Sequence, residues 1–287
     1  MEKKSIKKNK NNINTVVGNN NCIKFITIND NVQFQFYGTG RHYGFELEVE
    51  RLGEIDKTNE ELINIIGKDR EWLYFMEDHS LFNGFEIISH PCTIDFIKEH
   101  LPKLLKELQD LKLGEFETTG LHFHVDRKVF GDNSKKQLST IGNAIKIISN
   151  NFDIFKKVCG RTVDTEYTHN WKGLKNKVEL LNNENPLFLG SDKHTDNSEY
   201  TRFILKKDYS TDKGMTEIRN KPLNLLKKKT VEFRLPQATT DYNNFMGRLL
   251  LFDTLINNSI NDNYGDFNYL FKNKDSDLDK YLSQYDI

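Results

Sequence analysis

The chain has 287 residues, with 41 Lys and Arg against 42 Asp and Glu and a formal net charge of −1, so no global field draws it to nucleic acid or to an anionic membrane. That length can bury one substantial core. Mean hydropathy is low at −0.66, but 20 Phe and 11 Tyr supply the bulky material that a disordered chain lacks. Cys22, Cys92 and Cys159 are odd in number and form no C-x-x-C pair, so neither a disulfide framework nor a thiolate zinc site is indicated. With no apolar leader segment and no apolar run of membrane-spanning length, the expectation is a cytoplasmic protein with no membrane partner. Oligomeric state is open.

In chain order, residues 1–20 are Lys- and Asn-rich and aperiodic, which predicts a disordered basic tail. Residues 21–287 are read as a single domain. CIKFITIND and VQFQFYG alternate apolar and polar side chains, predicting a hairpin that turns at Asn29-Asp30-Asn31. YGFELEVERL puts Phe45, Leu47 and Val49 on one strand face and Glu46, Glu48 and Glu50 on the other. TNEELINIIGK reads as a helix begun by Thr58 or Asn59, REWLYFMEDHSL as a strand entering a turn, and GFEIISHP as a short strand. TIDFIKEHLPKLLKELQDLKL is helical, with Pro102 expected to kink or split it. TGLHFHVDR returns to period two, and KKQLSTIGNAIKIISNNFDIFKKV is an amphipathic helix. Residues 160–228 are turn-rich, and KKKTVEFRLPQATT is the last clear strand. Asp241 follows as N-cap of the helix YNNFMGRLLLFDTLINNSI, and one short helix is expected beyond residue 261. Strands alternate unevenly with long helices, predicting an α+β fold with a largely antiparallel sheet.

Four strands place ionisable groups opposite their apolar faces: Glu46, Glu48 and Glu50; Glu86; His122, His124 and Asp126; Glu232 and Arg234. Outward sheet faces ordinarily carry mixed Thr, Ser, Lys and Gln. Clustered carboxylates must instead be offset by cations or neutralised by proton uptake. A carboxylate-rich set with some imidazole suits Mg²⁺ or Mn²⁺, hard ions that also hold phosphate oxygens. Each strand alone also reads as a solvated face, a histidine pair or a cross-strand ion pair.

GFELE from Gly44, then ED-x-S around Asp78 with EIISHP starting eight residues later, then GLHFHVD, then TVEFRL, closely resemble in this order the amidoligase family. That family is a branch of the glutamine synthetase and glutamate–cysteine ligase superfamily. The resemblance implies a glutamine-synthetase-like curved antiparallel sheet backed by helices. It implies an enzyme that uses ATP to phosphorylate a carboxylate and lets an amine displace the phosphate, giving an amide or isopeptide bond. Small-molecule or peptide carboxylates and amines are the implied substrates, with ATP and Mg²⁺ or Mn²⁺ as cofactors. By resemblance, Glu48, Asp78 and Glu86 form one metal group, with Asp78 where glutamine synthetase has Glu. Glu46, His122 and Glu232 form the phosphate-side group, while His124 and Arg234 lie beside the transferred phosphate. Asn224 and Arg161, the latter ahead of Tyr167, match substrate- or nucleotide-side polar positions. The small N-terminal domain of the superfamily is not evident before GFELE. Closure over the acyl phosphate is expected from residues 185–220.

Two other readings stay open. HFHVD also resembles the H-x-H strand of zinc hydrolases, although Arg127 stands where such sites place a third His. A non-catalytic binding module could use the acidic face to dock a basic partner. Neither a G-x-G-x-x-G fingerprint nor a P-loop is present, since YGTGRHYGFE leads into a strand.

Overall fold

The computed structural model describes residues 25–26, 33–78, 80–161, 222–224, 227, 229–263, 265–272 and 276–285. The expected tail, Tyr167 and the 185–220 segment lie outside the described residues. Within them are nine strands: β1 (Phe25–Ile26), β2 (His42–Arg51), β3 (Leu73–Met76), β4 (Gly84–Ser89), β5 (Cys92–Thr93), β6 (Leu113–Gly114), β7 (Leu121–Asp126), β8 (Leu223–Asn224) and β9 (Thr230–Phe233). The helices are α1 (Asn59–Ile66), α2 (Ile94–Asp110), α3 (Ser134–Asn150), α4 (Phe152–Val158), α5 (Tyr242–Ile260), α6 (Phe267–Phe271) and α7 (Asp277–Leu282).

The strands form one open sheet in the order β1-β3-β4-β2-β7-β9-β8, with β5 and β6 pairing to the two ends of β2. Every strand pair is antiparallel except β1 with β3. The α+β, largely antiparallel fold expected from the sequence is therefore observed. Period two decides which face is core. Tyr43, Phe45, Leu47 and Val49 of β2, Leu121, Phe123 and Val125 of β7, and Val231 and Phe233 of β9 are all buried in one apolar cluster. Helices α2 and α5 supply the other side of that cluster through Ile97, Leu101, Leu104, Leu105 and Leu108 and through Phe245, Leu249 and Phe252. Phe245 of α5 meets Phe45 and Phe123 edge-on at centroid distances of 5.2 and 5.5 Å, and Phe252 stacks on Phe233 at 4.8 Å. The helix layer is thus keyed directly into the three strands that carry the ionisable residues on their reverse face. Local signals agree with this packing: Thr58 closes a capping box with Glu61, and Asp241 accepts from Asn244 N at 2.7 Å to start α5.

Four expectations are corrected. Helix α2 runs through Pro102. Pro102 is exposed, so the Lys98 carbonyl that loses its partner faces solvent rather than the core. The helix expected over residues 135–158 is two helices, broken at Asn151, whose Nδ2 donates to the Ile147 carbonyl at 2.9 Å and satisfies the end of α3. Residues 33–36 form no strand, and β1 pairs in parallel with β3, so among the described residues the N-terminal hairpin is absent and β1 covers the sheet edge instead. Two short helices, not one, follow residue 261. Among the described residues no helix is long and apolar enough to cross a membrane.

Replacing Phe245 with Ala removes the ring that joins α5 to β2 and β7, and is expected to lower stability by about 3–5 kcal/mol. Chemical denaturation measures it. A loss below about 1 kcal/mol would show that α5 does not anchor the sheet.

Candidate functional site

The reverse face of the sheet is organised by cross-strand register. Glu46 of β2 pairs with His122 of β7 on one side and Ile88 of β4 on the other, and Tyr74 of β3 lies beyond Ile88. The next row toward the end of β2 pairs Glu48 with Glu86, with Met76 beyond. The row on the other side pairs Gly44 with His124, His124 with Glu232, and Glu232 with Asn224. Residues distant in the chain are brought together because each occupies the same pleat phase.

Three clusters of metal-ligand type result, each with its ligand atoms within 4.8 Å of one another: Glu48, Asp78 and Glu86; Glu46, His124 and Glu232; and Glu46, Glu86 and His122. The first has the composition expected from the sequence. The second holds the expected Glu46 and Glu232 with His124, and the expected His122 groups with Glu46 and Glu86 in the third. Register is the reason, since His124 is the direct cross-strand neighbour of Glu232 whereas His122 is that of Glu46. His122 is close to both groups, with Nδ1 3.2 Å from Glu46 Oε2 and 3.8 Å from Glu232 Oε1, and Nε2 3.9 Å from Glu48 Oε1. His124 Nε2 lies 3.0 Å from Glu46 Oε1 but makes no aligned hydrogen bond, so this contact is an ion pair held mainly by charge.

Supporting contacts fix the carboxylates. The Gly120 amide donates to Glu48 Oε2 at 2.6 Å. A Cβ at Gly120 would come within 2.6 Å of His122 Nε2, so a glycine lets the backbone approach both side chains. Asn224 Nδ2 donates to Glu232 Oε2 at 2.7 Å, and the Arg234 guanidinium donates to Glu232 Oε1. Asn224, expected on the nucleotide side, is thus in direct contact with Glu232. Asp78 lies in the turn after β3, where it accepts from Ser80 N. Glu50 accepts from Phe82 N at 3.2 Å, tying that turn to β2. Arg161 donates to the carbonyls of Leu235, Pro236 and Glu117, fastening the chain after β9. Asp126 is exposed and caps the 3-10 turn at Arg127–Phe130. Gly120, Tyr74 and Ile88 were missed in the sequence reading. The period-two pattern of LYFM and EIIS already aligns Tyr74 and Ile88 with Glu86.

Burial penalises every charge here, and the cluster answers differently at each group. Burial, then Glu46, Glu48 and Asp78, push the Glu86 carboxyl up to about 9. Its Oε2 is buried without a hydrogen-bond partner. Burial would also raise Glu46, but the His124 charge and contacts with His122 hold it well below the usual carboxylate range. Glu232 is lowered likewise, burial being outweighed by His124, Arg234 and His122. Burial disfavours charge on His124, yet Glu46 and Glu232 raise it above an ordinary imidazole. At neutral pH without cations, Glu86 therefore keeps its proton while Glu46 and Glu232 are ionised. An orphaned carboxyl oxygen beside three further acids fits a site that takes a divalent cation and releases protons on doing so.

Because Glu86 binds its proton more tightly folded than unfolded, its contribution to stability falls as pH rises from the ordinary carboxylate range to about 9. His124 acts in the same sense, losing its contribution as pH rises through its elevated folded value, whereas Glu46 and Glu232 lose theirs on acidification. Thermal melts in EDTA should show Glu86→Gln more stable than the parent at pH 8.5 and closer to it at pH 5. Mn²⁺ should raise the parent's melting temperature more at pH 8.5 than at pH 6.5 and raise the variant's less, with a weaker dependence on pH, because only the Glu46–His124–Glu232 cluster is intact in it. A cation effect that is independent of pH in the parent, or undiminished in the variant, contradicts the assignment.

A family model described as "Putative amidoligase enzyme" matches residues 64–252. No curated protein matches the chain. The match takes in β3, β4, β7 and β9, and so Asp78, Glu86, His122, His124, Glu232 and Arg234. It begins after β2, whose Glu46 and Glu48 are brought to the same face by pairing with β4 and β7. The matched strands and the strand inserted between them build one acid-rich sheet face, and the chain belongs to the amidoligase family of ligase-type enzymes.

Proposed function

We propose that this protein is an ATP-dependent carboxylate–amine ligase working in the cytoplasm on small-molecule or peptide substrates, through an acyl phosphate. The observation that carries the reading is the pair of carboxylate clusters, Glu48–Asp78–Glu86 and Glu46–His124–Glu232, on one rigid sheet face with Arg234 in contact with Glu232, in an amidoligase chain. In this reading the first cluster, and the second with His122 beside it, hold divalent cations. Mg²⁺ or Mn²⁺ bound there would shield phosphate oxygens from an anionic nucleophile.

The chain's own residues have three tasks. The carboxylates orient the phosphates so that a substrate carboxylate oxygen bonds to the γ-phosphorus as the bond to the bridging oxygen of ADP breaks. Arg234, buried and held by Glu232, takes up charge on the phosphoryl group in transit. Once the acyl phosphate has formed, the amine nitrogen bonds to the acyl carbon, loses a proton and expels phosphate. Ile88 and Tyr74, packed beside Glu46, keep that side of the face apolar and help exclude water.

The zinc-hydrolase reading needs both imidazoles on one ion. Each of the clusters that contains a histidine contains one, and acids outnumber imidazoles in all three. Carboxylate-rich ligation favours the hard-ion reading.

Glu46→Gln and Glu232→Gln should each lower amine-dependent ADP release by at least about 100-fold while the far-UV circular dichroism of the parent is kept. The assay is ADP release across a panel of amino acids and peptides with Mg²⁺, with mass spectrometry of the condensation product. Retained activity in both variants would sink the metal-assisted ligase reading.

A further inference from the structure

One end of the functional face is aromatic, and its Phe34, Phe36 and His42 precede the residues that the family model matches. Phe34 and Phe36, two residues apart, are 53% and 68% exposed. The Phe34 ring stands 6.1 Å from His90, edge to face, and 6.4 Å from Tyr74, while Phe36 meets His42 edge-on at 5.2 Å. Tyr74 and His90 are 5.4 Å apart. His42 alternates with Gly44 and Glu46 along β2, so these rings border the same face as the acid clusters.

The backbone changes register between rim and acids. Ile88 pairs with Glu46, but Cys92 pairs with Tyr43, so one extra residue is accommodated and His90 and Pro91 lie against Gly44. Such a bulge re-aims a side chain, here His90. Gly44 contributes no side chain, and a Cβ built there would meet nothing nearer than the His124 Cβ at 3.7 Å. Gly44 therefore adds no side chain to the floor between His90 and His124. His90 Nδ1 accepts from Gln35 N at 3.4 Å, which leaves Nε2 to carry the proton and donate.

We propose that Phe34, Phe36 and His90 form a stacking subsite for the base ring of a nucleoside triphosphate whose phosphates reach the Glu46–His124–Glu232 cluster. The inference rests on the nucleotide-dependent reading above and adds to it the place and chemistry of base recognition. Span and chemistry select this occupant. At about 3.3 Å per residue, His42 lies about 13 Å along β2 from Glu46. With the divalent cations of the reading above bound to the acids, a ligand that bridges the two must be flat and apolar-faced at one end and anionic at the other. An ammonium group would be drawn onto the carboxylates and leave the rings uncovered. A base ring instead covers two exposed faces and accepts from His90 Nε2.

The test is calorimetric titration of the full chain, in the presence of Mg²⁺, with ATP and with inorganic tripolyphosphate. Both rings are more than half exposed, so Phe34→Ala/Phe36→Ala should melt like the parent. It should bind ATP about 10- to 100-fold more weakly with tripolyphosphate affinity unchanged, and Phe34→Trp alone should retain ATP affinity. An unchanged ratio of the two affinities, whether both persist or both weaken together, overturns the subsite. If the parent binds neither ligand, the nucleotide-dependent reading itself falls.

Discussion

Two glutamates directly opposite one another on adjacent strands, Glu48 and Glu86, are the constraint on which the remainder of the structure turns. Like charges opposed across a sheet repel. At the separation found within their cluster, and with an effective dielectric constant of about 20, the repulsion between two full charges is on the order of 3–4 kcal/mol. Glu46 and Asp78 add to it. A sheet cannot relax this by sliding, because a one-residue slip would move Leu47, Val49, Phe85 and Ile87 out of the core. The strain is met by chemistry: Glu86 keeps its proton, or a cation arrives.

The apolar face supplies the rigidity that makes this possible. Glu46 sits between Phe45 and Leu47, and His122 and His124 flank Phe123, all three apolar residues being fully buried. Phe245 touches Phe45 and Phe123 together. Ring packing on one side of the pleat therefore sets the spacing of carboxylate and imidazole on the other, and the ligands need no flexible loop except the turn that carries Asp78. That turn is itself pinned to β2 by Glu50.

The face was legible because period two is local. Phe45-Glu46-Leu47-Glu48 and Leu121-His122-Phe123-His124 announce strands with one chemical side, and Val231-Glu232-Phe233-Arg234 repeats the pattern. Which acid meets which imidazole was not legible, because it depends on strand register across residues far apart in the chain. His124 rather than His122 faces Glu232 for that reason alone. The contacts of Arg161 and Asn224 were not legible either, because polar residues near a site look alike in sequence. Their burial against the Leu235 carbonyl and the Glu232 carboxylate appears only when β8 and β9 are paired. Helix α2 is not split at Pro102 for a simpler reason: proline's missing bond matters less on an exposed helix face than inside one.

Shared ligands give the face its logic. Glu46 belongs to two of the three clusters, and Glu86 to two. Neutralising either cluster therefore changes the charge felt by the other, because Glu46 is among the groups that hold the Glu86 proton in place. A cation beside Glu46 would weaken that hold and prepare Glu86 as a ligand in the neighbouring row. The Glu48–Asp78–Glu86 and Glu46–His124–Glu232 clusters have no acid in common, but each shares one with the Glu46–Glu86–His122 cluster between them, so a cation at one would change the charge felt at the other.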